Sequence, residues 1–282
     1  MGGLYGLLAL GLGLTWGVLR VINLAHFSIT FLSAYLTYHL ATVAGLDPLA
    51  TALVTVPAAF AAGAGLAKLF EHLKLDTSRS LIFTFGLFVI FENVSKLIWA
   101  ADYRRIPLDR NPYFIQAFSV AGGWVTLPLV PLLGFAVAAL AAGAIYLGLH
   151  RTFPGKGVRA AVQDPEMAAA FGVNFARLAP AISGVSSAAA AAAGTFIGMT
   201  YTLFPSAAEQ WIGVIFSVVI LGGLGNPLGC LGAGMLLGVV EALTQTVADP
   251  ALARLVSLGV LALALLFRPQ GLFAPLVPEV ER

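Results

Sequence analysis

The sequence predicts an all-α fold: a polytopic transmembrane helix bundle of about eight to nine spans, N-terminus outside and C-terminus inside. Three observations carry this. Of 282 residues, 59% are hydrophobic and only 10% are charged, against about 25% charged in soluble domains. The mean hydropathy is +0.93. Apolar runs close to the roughly 20 residues that cross a hydrocarbon core recur along the whole chain. A soluble chain of this length needs a polar shell, and the composition does not supply one.

Taken in order, the runs fall at 4–19, 25–43, 49–67, 81–99, 127–149, 178–201, 211–224, 228–247 and 251–267. The first and seventh are short, so the count of about nine carries a margin of one. With the N-terminus outside, the inner connections and tail hold Arg20, Lys68, Lys74, Arg79, Arg151, Lys156, Arg159, Arg177, Arg268 and Arg282, ten of the 15 basic residues. Lys96, Arg104, Arg105, Arg110 and Arg254 remain outside. Excess Lys and Arg mark the cytoplasmic side. The spans read as a single transmembrane domain, 1–282, with no cleavable signal before it. The net charge of +2 gives no reason to expect a nucleic-acid partner.

Two connections are long. The outer one, 100–126, holds Pro107, Asn111-Pro112, Gly122-Gly123 and Trp124, and is expected to be irregular and partly helical at the interface. The inner one, 151–177, contains Asp164-Pro165-Glu166, a helix start: Asp as N-cap, Pro at the first helical position, Glu in the first turn. Met167 to Phe171 continue a short helix, and Gly172 with Asn174 end it. On a basic face, such a helix rests on lipid or docks a soluble partner.

Charged residues inside spans cost about 2.5–3.5 kcal/mol each on insertion scales. Glu92 and Lys96 stand four apart, Glu first, and read as a structural ion pair near the outer interface. Glu241 lies deep in its span, either accepting hydrogen bonds from a neighbouring helix or lining a polar path. Asn23 and His26 open the second span beside Arg20. Gly13 and Gly17, like Gly234 and Gly238, form small-xxx-small faces for close helix approach. Gly222-Gly223-Leu224-Gly225-Asn226-Pro227 interrupts an apolar stretch, as a pathway element or as a tight turn. Cys230, the one cysteine, reads as a small packed residue and excludes an intramolecular disulfide.

Chemistry of other kinds finds no footing. There is no Ser/His/Asp set, no metal-ligand spacing and no paired carboxylates. Gly155-Lys156 is followed by Gly157 where a phosphate loop requires Ser or Thr. The chain is therefore read as a non-enzyme with no cofactor; any ATP is bound by partner subunits.

Several stretches together resemble the branched-chain amino acid ABC transporter permeases, specifically the LivH-type subunit. They are Arg20-Val21-Ile22-Asn23-Leu24-Ala25-His26; Phe83-Thr84-Phe85-Gly86-Leu87; Gly157-Val158-Arg159-Ala160 through Asp164-Pro165-Glu166 to Phe171-Gly172-Val173-Asn174; Leu221-Gly222-Gly223-Leu224-Gly225 with Pro227 and Gly229; and Arg268-Pro269-Gln270-Gly271-Leu272-Phe273. The family often has Gly after the His, where this chain has the bulkier Phe27. The resemblance implies a permease subunit of a prokaryotic ABC importer, multi-pass in the plasma (inner) membrane. It implies three kinds of partner: a homologous LivM-type permease, two cytoplasmic ATPase subunits and an extracytoplasmic solute-binding protein. It further implies that 164–171 is the coupling helix, with Arg159, Asp164, Pro165, Glu166 and Phe171 at the ATPase. Asn23, His26, Phe27, Gly222, Gly223, Gly225 and Glu241 are candidates for the pathway. Urea and amide permeases share the scaffold, so those solutes stand as alternatives. So does an ion-coupled secondary transporter using Glu92, Lys96 and Glu241. A membrane-embedded enzyme or assembly scaffold is a further reading, against which the missing catalytic constellation argues.

Overall fold

A lipid-embedded backbone has no water to bond, so each span closes its own hydrogen bonds as a helix. The computed structural model follows that rule; the described residues are 1–120, 125–247, 250–268 and 271–273. Gly122, Gly123 and Trp124 of the outer loop, Pro269 and Gln270 of the tail motif, and Arg282 lie outside them.

Among the described residues eleven α-helices succeed one another: α1 (Gly2–Leu19), α2 (Ala25–Thr42), α3 (Ala52–His72), α4 (Thr77–Trp99), α5 (Leu129–Arg151), α6 (Phe153–Gln163), α7 (Pro165–Ala170), α8 (Phe175–Thr200), α9 (Glu209–Gly222), α10 (Pro227–Val247) and α11 (Pro250–Phe267). Among the described residues, seven segments are long and apolar enough to cross a membrane: α1, α3, α4, α5, α8, α10, and α9 extended by its preceding 3-10 turn, Pro205–Ala208. The sequence-based count of about nine also includes α2 and α11. α11 is 18 residues long and contains the apolar stretch Leu255–Phe267. The 18-residue α2 is not among the seven because it is too polar, and the reason is its position. Its Ser28, Thr30, Ser33 and Thr37 are all buried inside the bundle.

The bundle is organised around α1 and α8, each with 83% of its span buried, against 17% for α4 and α5. Small residues allow this. Along α1 and α10 the two GxxxG faces meet each other's element: Gly234 and Gly238 lie on Gly2 and Gly6, Gly13 on Cys230, and Gly17 on Gly225. A Cβ at most of these points would overlap backbone. Between α3 and α8, Gly63 lies against Ser183 and Ser187, and between α2 and α8, Gly194 lies against Thr30. Hydroxyls link the same helices. Thr51 donates to Thr37 at 3.1 Å, Thr37 to Thr195 at 3.4 Å, and Thr55 stands 3.3 Å from Thr195. Interhelical bonds of this kind average about 0.6 kcal/mol each, so close packing carries most of the association.

The ends of the bundle differ. At one end the 100–128 connection forms a 3-10 turn, Leu108–Arg110, and a two-stranded antiparallel hairpin pairing Ala117 with Pro128 and Val120 with Val125. The 3-10 turn agrees with the partly helical loop expected from the sequence; the hairpin was not expected, since β1 (Ala117–Val120) and β2 (Val125–Pro128) alternate too briefly to stand out from the sequence. Asn111 donates to the Met199 carbonyl at 2.9 Å, and Tyr113 to Asp47 at 2.7 Å. The second bond raises the phenol's pKa above its ordinary 10.0. At the other end lie α6, α7, Arg20, Lys74, Arg79, Arg151, Lys156, Arg159 and Arg177.

Candidate functional site

Three features are built for work. The first is the α6–α7 element. Thr152 caps α6 by accepting from the Gly155 amide at 3.1 Å, with Pro154 in the first turn. Gly155 is pressed against the Gly148 carbonyl and Leu149, so α6 turns back under the bundle at a point where no Cβ fits. Val158 joins Leu14, Val18 and Ile182 in a small apolar core. Asp164 caps α7, accepting from the Met167 amide at 3.0 Å; such caps contribute about 1 kcal/mol. Gly172 ends α7 with φ 84°. Asn174, expected to help end it, caps α8 instead by accepting from Arg177 N at 3.2 Å. Ala168 is the buried residue of α7, while Met167 (56%) and Phe171 (83%) stand exposed, as does Phe153 of α6 (89%). Arg159, Pro165 and Glu166 are exposed too.

The second feature is an irregular, partly buried segment between α1 and α2. Arg20 ends α1 in the left-handed region (φ 56°), and 20–24 runs back along the bundle before α2 begins. His26, wholly buried, sits beside Leu8 and Gly11 in the middle of α1, with Nε2 3.0 Å from the Leu8 carbonyl. Thr84 of α4 secures the segment, accepting from Leu24 N and donating to the Ile22 carbonyl, both at 3.1 Å. Irregular backbone at this depth needs such cover. Asn23 is 1% exposed, yet both its amide atoms lack a hydrogen-bond partner among the described residues; so does His26 Nδ1. Phe27 is fully buried and stacks on Phe216 at 6.3 Å.

The third is a cavity of about 250 Å³ at the hairpin end, walled by α1, α2, α9, α10 and the end of α8. Glu241 lines it, accepting from the Tyr5 hydroxyl across the α1–α10 interface and from Gln245 Nε2 at 3.1 Å. Glu241 thus accepts from a neighbouring helix, the first of its two sequence readings, and also borders this cavity. Trp211 closes one side, with the rings of Tyr5, Phe31 and Tyr201 edge-on to it at 5.7, 6.3 and 5.4 Å. Met1 lies at the rim.

The remaining residues singled out in the sequence fall elsewhere. Gly222, Gly223 and Gly225 form the turn between α9 and α10 at the α6–α7 end, with φ 83° at Gly223 and 76° at Gly225. They lie at the opposite end from Glu241. Lys96 donates to Glu92 at 2.7 Å, and Ser206 to the same carboxylate oxygen at 3.0 Å. Among the described residues no group of three or more His, Cys, Asp or Glu gathers as a metal site.

Residues 1–265 match the family model described as branched-chain amino acid transport system / permease component. The chain belongs to this family. Among similar proteins is the high-affinity branched-chain amino acid transport system permease protein BraD of Pseudomonas aeruginosa. It is 28% identical over 293 residues, covering 100% of this chain and 94% of that protein. LivH of Salmonella typhimurium, with the same description, is 25% identical over 297 residues, with the same coverage. A probable LivH of Methanocaldococcus jannaschii is 24% identical over 291 residues, covering 94% and 87%. No solved structure matches the chain significantly. The chain is thus a multi-pass membrane protein of a transport-permease family.

Within this permease the sequence reading passed over α6, Tyr5 and Trp211. A signal for α6 was present in Thr152-Phe153-Pro154, a hydroxyl N-cap followed by proline in the first turn. No local signal marks Tyr5, which lies 236 positions from Glu241.

Proposed function

We propose that this chain is a translocating subunit of a prokaryotic ABC importer, moving branched-chain amino acids across the plasma membrane by alternating access. The family match over residues 1–265 carries the reading. In it, the chain pairs with a homologous LivM-type permease, receives solute from an extracytoplasmic binding protein and is driven by two ATPase subunits. It binds no ATP itself. The basic residues grouped at the α6–α7 end support placing that end in the cytoplasm.

The α6–α7 pair then serves as the coupling element. Exposed Met167 and Phe171, flanked by Glu166 and Arg159, offer apolar knobs with charged rims to a groove on an ATPase. Displacement of α7 passes to α6, which is wedged under α1, α5 and α8. A packed bundle answers such a push by switching between discrete arrangements rather than by bending.

The test is uptake into vesicles holding this chain, its partner permease and the ATPases, with the binding protein added outside. Labelled leucine accumulates only with ATP inside. Accumulation that needs no ATPase subunits and follows a proton or sodium gradient would overturn the proposal.

A further inference from the structure

The geometry points to the Glu241 cavity as a subsite for the ammonium group of the transported solute, a reading that rests on the importer function proposed above. The cavity combines two elements that recognise organic cations. One is a carboxylate, Glu241, held in place by Tyr5 from a different helix and by Gln245 one turn on. The other is a set of aromatic rings: Trp211 in T-shaped contact with Tyr5, Phe31 and Tyr201, all four lining the same space. Ring faces carry negative electrostatic potential and attract ammonium groups, most strongly where water is excluded.

Alternative uses of the carboxylate fit less well. The Met1 ammonium at the rim also feels the Glu241 charge, so the carboxylate has one cation of the chain's own nearby; the two donors that orient it, Tyr5 and Gln245, leave it at the cavity wall. A divalent cation needs more ligands than one carboxylate, and among the described residues no second acidic side chain lines the cavity. Neutral urea or an amide gains little from a lone carboxylate and an aromatic box. An α-amino acid with an aliphatic side chain gains from both: its ammonium meets the acid and the ring faces, and its hydrocarbon meets Phe31 and Trp211. The subsite therefore selects amino acids over the neutral solutes that related scaffolds carry.

Two measurements on the assembled importer test this. Thr202 also lines the cavity and is exposed, so Thr202→Cys offers a thiol to small methanethiosulfonate reagents; Cys230 is buried and serves as the background. Relative to the ratio the same two reagents show on a free thiol, the one bearing trimethylammonium is favoured about tenfold or more over the one bearing sulfonate, and Glu241→Gln brings that normalised ratio close to one. In leucine uptake, Glu241→Gln loses about tenfold or more while Glu241→Asp keeps a substantial part. A normalised reagent ratio near one with Glu241 in place, or leucine uptake by Glu241→Gln within twofold of wild type, would overturn the subsite. The reagent ratio on the protein with Glu241 intact decides the matter even if Glu241→Gln fails to assemble. Failure of the wild-type complex to import leucine with ATP instead sinks the importer reading, and the reagent ratio still reports on the cavity.

Discussion

Arg20, at the left-handed end of α1, donates from Nη2 to the Val162 carbonyl of α6 at 3.2 Å. This bond joins one of the two most buried helices of the bundle to the element that projects from it. Its backbone supports a second link, since the Arg20 carbonyl accepts from Thr77 at the start of α4 at 2.7 Å.

Arg20→Gly separates the two roles of that residue. Glycine relieves a left-handed conformation that costs other residues about 1–2 kcal/mol, while the guanidinium is lost. Thermal stability should hold or rise slightly, and uptake per ATP hydrolysed should fall several-fold. The ratio of transport to ATPase activity in reconstituted vesicles measures it.

Charge reversal at the α6–α7 face gives the docking test. Arg159→Glu together with Glu166→Lys leaves the buried Val158, Ala161 and Ala168 untouched. ATPase subunits should co-purify poorly while membrane insertion stays normal; an unchanged pull-down removes the docking role. Asp164→Ala should weaken the same association less, through fraying of α7 by about 1 kcal/mol.

Gly223 has φ 83° and ψ 130°, a conformation that costs a side-chain-bearing residue on the order of 1–3 kcal/mol. Gly223→Ala should therefore lower the melting temperature, and Gly223→Leu should impair uptake more. If both variants melt and transport like wild type, the turn between α9 and α10 has no mechanical role.

Asn23 gives a prediction with opposite signs. A buried amide without partners costs about 1–3 kcal/mol, so Asn23→Leu should stabilise the detergent-solubilised protein. Uptake should fall at the same time, because a destabilising polar group on irregular backbone at membrane depth is retained for function. A stabilised variant with full transport would make Asn23 a packing residue only.

Much of the architecture was legible before folding. The run at 228–247 became α10 at Pro227–Val247, and Asp164-Pro165-Glu166 became a capped helix, because caps and apolar length act within a few residues. The site was less legible. His26 was readable as a polar residue at the start of a helix, but not as one beside Leu8 in the middle of α1. The turn glycines and Glu241 were grouped as pathway candidates, yet they lie at opposite ends of the bundle.

By itself, the sequence determined that this chain crosses a membrane repeatedly and where most helices run, since in hydrocarbon each helix must satisfy its own backbone bonds. Tertiary structure alone decided which faces meet: α10's glycines on α1, α6 beneath the bundle, Tyr5 on Glu241. Lipid gives apolar helices no hydrophobic reason to prefer one neighbour over another, so partner choice rests on shape and a few polar contacts. Those exist only once distant segments are brought together.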